Sequence, residues 1–331
     1  MVEQTVIGID GGGTRTRVVL ANTQGVVLGV GEGGSGNYHD VGADQVCANV
    51  ELALEQAWEA AGLCRTEADA AFFGLGSIAA AADREVIRKL ARQIGIAPDQ
   101  CVGVDHDLRI ALAGGLVGQP GIVLIAGTGS SCYGRAEDGR TWRAGGWGPM
   151  LDDVGSGGWL GLQSMIAAVR EADGRGDPTV LTARVLDALQ INEVDEILKR
   201  VDAQGLARRE KAALGRLVTQ AASEGDVVAQ QIIARGAAEL AELIATVAQQ
   251  LDLIESLGTV PVAVTGGLTS AGDVFMDPLR EAVQRRAPQC EVIEPSLPPV
   301  LGAVLLAIEL LGIPVDAHQV AQLKQGQAVC N

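Results

Sequence analysis

The sequence predicts an α/β fold made of two halves with the same order of strands and helices. Three β-rich runs followed by alternating helix and strand patterns fill the first third of the chain, and the same order returns after residue 120. In both halves a turn rich in glycine and threonine follows the first strand, as DGGGTRT at 10–16 and AGTGSS at 126–131. The repetition predicts two domains of one topology with a ligand-binding cleft between them.

In the first half, short apolar runs rich in β-branched residues predict strands, and apolar residues at helical spacing predict helices. The predicted strands are TVIGID (5–10), TRVVLAN (16–22), GVVLGVG (25–31), AAFFGLG (70–76) and QCVGVDHD (100–107), and the predicted helices span 45–62, 83–95 and 108–116. The TQG segment between the second and third strands predicts a hairpin turn.

The second half follows the same order with additional helices after its third strand. The predicted elements are a strand at 121–127, a hairpin over 130–143 that turns at Asp138-Gly139, helices within 156–254, a strand at 259–267, a helix near 272–286, a strand at 290–295 and a helix from 299. We therefore expect a first domain of residues 1–117 and a second of residues 118–331, with the final helix free to pack back on the first domain.

Composition excludes several classes of protein. Of the 331 residues 47% are hydrophobic, which is enough for packed cores, and the formal net charge is −16. An acidic surface disfavours nucleic acid and anionic membranes as partners. The N-terminus lacks the basic segment of a signal peptide, and the apolar stretch at 299–315 contains Glu309, so it predicts a core helix. We expect a soluble, cytoplasmic protein.

The cysteines fit the same expectation. They show neither a CxxC pair nor the spacing of metal ligands, which favours small core residues in a reducing compartment. The six cysteines are Cys47, Cys64, Cys101, Cys132, Cys290 and Cys330.

The two glycine-rich turns predict a polyphosphate site. Glycine lets backbone N–H groups approach an anion without a Cβ in the way, and neighbouring hydroxyls add donors. The hydroxyl donors are Thr14, Thr16, Thr128, Ser130 and Ser131. Asp10 is positioned to hold Mg²⁺, through water. The turns match neither a Walker motif nor a GxGxxG dinucleotide fingerprint, because a strand follows the first turn where those motifs need a helix. Two hairpin turns without a ligand are the alternative.

Four motifs together resemble the N-acetylglucosamine kinases of the BadF/BadG group of ATPases, in the actin–hexokinase superfamily. IGIDGGGTRT (7–16) and GTGSSCYG (127–134) look like the two phosphate loops of that family, GGWGPMLDDVGS (145–156) like its sugar-binding segment, and AVTGGL (263–268) like its adenosine loop. They occur in the family's order between residue 5 and about residue 312. The resemblance implies two ribonuclease-H-like domains, ATP with Mg²⁺, a homodimer, and transfer of the γ-phosphoryl group to O6 of an amino sugar.

The resemblance also implies which residues bind ATP and the sugar. The ATP-binding positions are Gly11, Gly12, Gly13, Thr14, Thr16, Gly127, Thr128, Gly129, Gly266 and Gly267, and the sugar-binding positions are Asn37, Asp107, Ser130, Ser131, Gly146, Trp147, Gly148 and Asp153. The catalytic base is the aspartate of a D-x-x-x-A-L helix start, which selects Asp107 and leaves Asp105 as the fallback. A helix N-cap is the structural alternative for Asp107, and a left-handed turn residue is the alternative for Asn37. His39 and His106 lie nearby, but neither is assigned a role.

Two departures from the family pattern leave the sugar open. The usual Gly-Asp-Glu-Gly-Ser run reads Asp152-Asp153-Val154-Gly155-Ser156, so a contact made by that glutamate is missing. Ser131 stands where the vertebrate enzymes carry asparagine. N-acetylglucosamine, glucosamine and N-acetylmuramic acid all remain candidate substrates.

One alternative keeps the fold and changes the function. Some BadF-type relatives are ATPases that drive electrons into a partner dehydratase through an iron–sulfur cluster shared across a dimer, which needs cysteine ligands at the subunit interface. The cysteines and the Asn37, Gly-Trp-Gly and Asp153 set favour the kinase. An actin-like polymer or chaperone ATPase is disfavoured, since the chain lacks the long insertions of those proteins.

Overall fold

The computed structural model describes residues 4–329, apart from the side chains of residues 202–204, 208 and 329. The contacts of the chain define two compact units, residues 1–119 with 294–331 and residues 120–293. The last helices therefore belong to the first unit. The sequence analysis had left this packing open for the final helix. The boundaries 1–117 and 118–331 stay a prediction, and Cys330 lies outside the described residues.

The first unit contains one five-stranded mixed sheet. Its elements are β1 (Thr5–Gly11), β2 (Thr16–Asn22), β3 (Val27–Gly33), α1 (Tyr38–Val41), α2 (Ala43–Ala60), β4 (Ala70–Leu75), α3 (Ala81–Ile94), β5 (Val102–His106) and α4 (Asp107–Leu116). The strand order is β3-β2-β1-β4-β5, in which β1, β2 and β3 pair antiparallel while β4 and β5 run parallel to β1.

The second unit repeats this sheet. Its elements are β6 (Gly121–Ala126), β7 (Ser130–Arg135), β8 (Thr141–Gly145), α5 (Gly157–Ala172), α6 (Leu181–Leu189), α7 (Glu196–Gln204), α8 (Arg208–Ser223), α9 (Val227–Gln250), α10 (Leu253–Leu257), β9 (Val260–Thr265), α11 (Asp273–Arg286) and β10 (Cys290–Ile293). The order β10-β9-β6-β7-β8 is that of the first sheet with each strand replaced by its counterpart. The repeated α/β fold with extra helices in the second half is therefore confirmed.

Two helices complete the first unit, α12 (Pro299–Leu310) and α13 (Ala317–Gly326). Successive residues of β1 point to opposite faces of the sheet, which explains where α12 packs. Ile7 and Ile9 join the core beneath α2 and α3, whereas Val6 faces the core that contains α12. Gly8 lies on the α12 side, where a Cβ would come within 2.6 Å of the Val300 carbonyl oxygen. The helix therefore rests almost directly on the strand backbone, and Gly8 has a packing reason to be glycine.

Some elements differ from the sequence prediction. The four-residue α1 and the helix α13 were not predicted, and a short 3-10 turn at Asp99–Cys101 takes the start of the predicted strand at 100–107. The third strand begins at Val27, because Gly25 has a φ of 84° and belongs to the turn. Within the described residues, no helix is both long and apolar enough to cross a membrane.

Candidate functional site

Asp10, Asp105 and Asp107 lie at one edge of the sheet of the first unit. Strands β1, β4 and β5 run parallel, and their register aligns Asp10 with Gly74 and Gly74 with Asp105. Asp107 follows directly as the first residue of α4. The carboxyl ends of parallel strands are where α/β folds place their ligands. The edge at Asp10 and Asp107 is therefore the candidate site of this unit.

Asp10 and Asp107 interact electrostatically. Burial, reinforced by the negative charge of Asp107, raises the pKa of Asp10 from 3.8 to about 7, although Arg17 and Arg15 act in the opposite direction. The protein thus holds two carboxylates in one neighbourhood with too little positive charge to balance them. Oxygen ligands with excess negative charge fit a hard divalent cation such as Mg²⁺. No cluster of three or more candidate metal ligands occurs in the described part of the chain.

The two candidate bases have different surroundings. Asp105 Oδ1 accepts a 2.7 Å hydrogen bond from Arg84 Nη2 and a second from its own neighbour His106 N. Asp107 Oδ1 accepts from Leu108 N at 2.9 Å, and a side chain at Gly76 would approach Asp107 Oδ2 to 3.1 Å. The contact with Arg84 therefore occupies one oxygen of the Asp105 carboxylate. Asp107 lies close enough to Asp10 to influence its charge, which favours Asp107 as the base.

The N-cap of α4 is His106, not Asp107. His106 has extended backbone angles, and its Nδ1 accepts from Arg109 N at 3.1 Å. The N-cap alternative for Asp107 is therefore wrong, because Asp107 is already the first residue of the helix. His106 instead acquires the structural role that the sequence had left unassigned.

The first glycine turn contains glycines of two kinds. A Cβ on Gly11 would collide with Leu75 Cδ2 at 2.3 Å, so packing explains that glycine. At Gly12 and Gly13 the nearest atoms would be 3.9 Å away, and neither residue has a positive φ. A left-handed backbone therefore does not explain these two glycines. Nothing in the protein itself requires glycine at these two positions, and the open space beside them suits a bound phosphate.

The two threonines of this turn differ in exposure. Thr14 is exposed, whereas Thr16 is fully buried with its hydroxyl unpaired among the described residues. The Thr16 hydroxyl lies beneath the turn, where a side chain on Gly36 would approach it to 2.8 Å. Thr14 is thus the accessible donor, and a direct contact between Thr16 and ATP stays a prediction.

Asn37 lies in a segment that contacts the phosphate turn through its backbone. Gly36 N donates to Gly12 O at 2.9 Å. Asn37 has a φ of −93°, so the left-handed alternative is wrong; its Oδ1 accepts from His39 N and caps α1. Its Nδ2 donates to Asp40 Oδ2 at 2.7 Å. A ligand at the turn and one at Asn37 would therefore be neighbours in this unit.

In the second unit, the turn after β6 is fixed by the start of α5. Gly127 N donates to Gly129 O, while Gly157 N and Gly158 N donate to the carbonyls of Gly127 and Thr128. The Thr128 side chain stays exposed. The exposed backbone of this turn resembles that of the first unit and presents a second candidate phosphate site.

Asp153 lies against this turn in a strained conformation. It has a φ of 58° and is only 4% exposed. Ser130 N approaches Asp153 Oδ1 at 3.4 Å, and a Cβ on Gly129 would come within 2.9 Å of the same carboxylate. A buried carboxylate in a left-handed conformation costs stability, which such sites commonly trade for function. Gly129 is therefore required by Asp153.

The Gly146–Gly148 segment presents a tryptophan to solvent. Trp147 is 74% exposed, and Gly146 and Gly148 have φ values of 76° and 89°. Ser131 lies beneath Gly146, where a Cβ would come within 2.7 Å of Ser131 Oγ. The buried Ser131 hydroxyl has no hydrogen-bond partner among the described residues. Ser131, Gly146 and Trp147 thus form one neighbourhood.

The predicted adenosine loop follows β9. Gly266 has a φ of 108°, and a Cβ there would meet the Ala126 carbonyl carbon and oxygen at 2.6 and 2.5 Å. No atom lies within 4 Å of the corresponding position at Gly267, which starts a 3-10 turn at Gly267–Ala271. Position 266 requires glycine because a side chain there would collide with the backbone of Ala126. Gly267 has no such neighbour and leaves open space near the end of the strand.

Residues 7–307 match the profile of the BadF/BadG/BcrA/BcrD ATPase family. The chain belongs to this family. It is 30% identical over 302 residues to an N-acetylmuramic acid/N-acetylglucosamine kinase from Clostridium acetobutylicum, covering 91% of this chain and 97% of that protein. It is 29% identical to an N-acetyl-D-glucosamine kinase from Dictyostelium discoideum, covering 93% and 99% of the two chains.

A solved structure from Chromobacterium violaceum is similar to this BadF/BadG-family chain as well. That protein, provisionally assigned as an N-acetylglucosamine kinase, superposes with a TM-score of 0.74 at 29% identity, covering 92% of this chain and 99% of its own. The family resemblance and the two-unit α/β fold predicted from the sequence are thereby confirmed.

Two further residues of this family member were missed by the sequence reasoning. Arg143 donates from Nη2 to Gly146 O at 2.7 Å and from Nε to Gly145 O at 3.2 Å, and its guanidinium lies 5.9 Å from the Trp147 ring. Asp83 accepts hydrogen bonds from the Tyr38 hydroxyl and from Ala79 N and Ala80 N. Both residues hold a predicted ligand-binding segment. The sequence offered one signal for Arg143, which stands shortly before a Gly-Gly pair. It offered no signal for Asp83, because its partner Tyr38 is 45 residues away in the chain.

Proposed function

We propose that this protein is an ATP-dependent kinase that phosphorylates an amino sugar, N-acetylglucosamine or glucosamine, at O6. The observation that carries the proposal is the carboxylate edge of the first unit, where Asp107 begins α4 beside Asp10 and the open glycine turn. The kinases named among the relatives, which align with nearly the whole chain, support the same reaction.

In the proposed mechanism the sugar O6 attacks the γ-phosphorus of ATP. A P–O6 bond forms, the bond from the γ-phosphorus to the β,γ-bridging oxygen breaks, and ADP leaves with the electron pair. Asp107 accepts the proton that O6 loses, a role that contributes about 10²–10⁴-fold. The backbone N–H groups of Gly13 and Thr14 and the Thr14 hydroxyl would bind and orient phosphate oxygens, and the turn at Gly127–Gly129 would do the same in the second unit.

Mg²⁺ fits this proposal because Asp10 and Asp107 leave negative charge unbalanced. Asp10 would hold the ion through water, and the ion would supply positive charge to the phosphate oxygens during transfer.

The sugar contacts belong to separate segments. Asn37 offers an amide in the first unit, and Asp153 offers a buried carboxylate in the second. Ser130, Ser131 and the backbone of Gly146 and Gly148 would add polar contacts, with the Trp147 ring facing an apolar side of the sugar. N-acetylmuramic acid is the second candidate, because the relative from Clostridium acetobutylicum is named for both sugars, and the short side chains at Ser131 and Val154 leave room for a substituent.

A dehydratase-activating ATPase is less well supported. Cys132 and Cys290 are buried in the core of the second unit, where burial raises the pKa of the Cys290 thiol to about 11. Ligands for a cluster shared between subunits would have to be exposed as thiolates. Cys64 is exposed, but the described residues offer no second exposed cysteine.

We further propose a cytoplasmic homodimer that does not bind nucleic acid. The free thiols support a reducing compartment, and the net charge of −16 opposes phosphate-backbone binding. The homodimer rests on the family resemblance, and sedimentation of the purified chain would test it.

The assay that tests the function supplies ATP and Mg²⁺ with a panel of amino sugars. We expect ADP release together with a sugar whose mass increases by one phosphoryl group. ATP hydrolysis without a phosphorylated sugar, in an iron-containing brown protein, would instead indicate the activating ATPase.

Gly13→Ala should weaken ATP binding without destabilising the protein. The added methyl group meets no protein atom closer than 3.9 Å but occupies space beside the proposed phosphate. We expect an unchanged melting temperature and a KM for ATP that rises about tenfold, equivalent to about 1.4 kcal/mol. The matched control is Gly8→Ala, where the methyl group would lie 2.6 Å from Val300 O and should lower the melting temperature. An unchanged KM in Gly13→Ala would remove this turn from the ATP site.

Trp147→Ala should raise the KM for the sugar more than the KM for ATP. The side chain is 74% exposed, so its loss costs about 0.5 kcal/mol of stability or less. Losing an aromatic face that packs on the sugar should raise its KM about tenfold. Trp142→Ala is the control, since Trp142 is also exposed and lies on the adjoining strand β8. Equal effects of the two substitutions would contradict the sugar-binding role of Trp147.

A further inference from the structure

A groove on the second unit carries positive charge on a strongly acidic protein. It is lined by α5, α9 and residues 175–177, and it has a volume of about 780 Å³. Its apolar lining comes from Ile166 and Ala167 on α5 and from Val228 and Ile232 on α9. Arg170 on α5 and Arg235 on α9 also line it. None of the residues predicted to bind ATP or sugar lines the groove.

Neutral acceptors hold the two arginines in place. Arg170 Nη2 donates to the carbonyl oxygen of Arg175 at 3.1 Å, and Arg235 Nη2 donates to Gln163 Oε1 at 3.2 Å. The Arg235 guanidinium also lies 5.9 Å from the ring centroid of Trp159. Such contacts fix the position of a guanidinium but leave its charge uncompensated and several of its N–H groups available.

The acids around the groove do not cancel this charge. Asp173 is bound by Arg175 through its Nε and Nη2, and Arg170 attracts the same carboxylate more weakly. Asp177 is the carboxylate that lines the groove itself. Elsewhere, arginines such as Arg84 and Arg184 pair directly with Asp105 and Glu224. Within the described residues, Arg170 and Arg235 have no carboxylate at ion-pair distance, so an excess of positive charge faces the groove.

The chemistry of the lining defines the class of ligand. Guanidinium groups bind phosphate and carboxylate oxygens in pairs, and an apolar floor binds a hydrocarbon or ring. We propose that this groove binds a small organic anion with a phosphate or carboxylate head and an apolar body. This site is separate from the proposed kinase reaction, and its test requires neither sugar nor ATP.

The test measures binding to the intact protein by isothermal titration calorimetry. Hexyl phosphate and hexanoate are the anionic probes, hexanol is the uncharged probe, and inorganic phosphate lacks the apolar part. We expect hexyl phosphate or hexanoate to bind more tightly than either hexanol or inorganic phosphate. The double variant Arg170→Gln/Arg235→Gln should lose about tenfold or more in affinity for the anionic probe that binds, because both charge-assisted contacts with its head group are removed.

Two further variants keep the result interpretable. Arg216→Gln removes an exposed arginine on α8 that does not line the groove, and it should leave the affinity unchanged. Ile166→Glu places a carboxylate in the groove at a residue that is already 40% exposed, and it should abolish binding without unfolding the protein. If neither hexyl phosphate nor hexanoate binds, or if the affinity of the one that binds survives in either the double variant or Ile166→Glu, the proposal is overturned.

Discussion

Asp107→Asn is expected to lower kcat about 100-fold or more while sugar affinity changes only a few-fold. The amide keeps the size of the side chain and much of its hydrogen bonding but cannot accept the proton of O6. A loss confined to kcat is the signature of an interaction made in the transition state. Steady-state kinetics with ATP and N-acetylglucosamine, together with direct measurement of sugar binding, separate the two quantities.

Asp105→Asn is the matched control for this substitution. Asp105 is two residues away on the same segment, and its carboxylate is bonded to Arg84. We expect a smaller loss of activity there, accompanied by some loss of stability because Arg84 loses its charged partner. If Asp105→Asn removes turnover while Asp107→Asn retains it, the base is Asp105. If both variants turn over normally, the proposed mechanism fails.

The order of strands was predictable because it is encoded locally. Each strand is a short apolar run bounded by turn residues, and the repetition of the order in the two halves reinforced each assignment. The division of 156–254 into separate helices was not predictable in the same way. Gly161 approaches the Lys211 carbonyl so closely that a Cβ there would lie 1.9 Å from the oxygen. That contact between α5 and α8 is set by tertiary packing across 50 positions, which no local pattern reveals.

The site was predictable as a set of motifs but not as a set of contacts. The sequence treated Gly11, Gly12 and Gly13 alike, whereas only Gly11 is required by packing against Leu75. It also treated Thr14 and Thr16 alike, although Thr16 is buried beneath Gly36. In each case the contact that distinguishes these residues comes from another strand or loop. Residue type and spacing identify the chemistry of a turn, but the surrounding fold decides which atoms remain accessible.

Asp10→Asn is expected to stabilise the ligand-free protein at pH 8 and to abolish most of its kinase activity. The pKa of Asp10 is raised from 3.8 to about 7 by burial and by Asp107, so between these values the folded state binds a proton that the unfolded state has released. The contribution of Asp10 to the free energy of unfolding therefore falls as the pH rises from about 4 to about 7, and it stays low above pH 7. Asparagine is neutral at every pH, so the variant does not lose this free energy of unfolding as the pH rises.

The measurement compares thermal unfolding of the two proteins from pH 5 to pH 9 without ligands. The advantage of Asp10→Asn should be less than half of its full size at pH 5, grow toward pH 7 and level off above it at about 4 kcal/mol, since each pKa unit contributes about 1.4 kcal/mol. Adding Mg²⁺ at pH 8 should raise the melting temperature of the original protein and leave that of Asp10→Asn unchanged, because only the carboxylate attracts the ion. Asp40→Asn is the control, since it changes an exposed carboxylate near the same turn. A variant that is less stable than the original protein at pH 8 would show that the Asp10 carboxylate is compensated within the fold, and Mg²⁺ would then lose its reason to bind there.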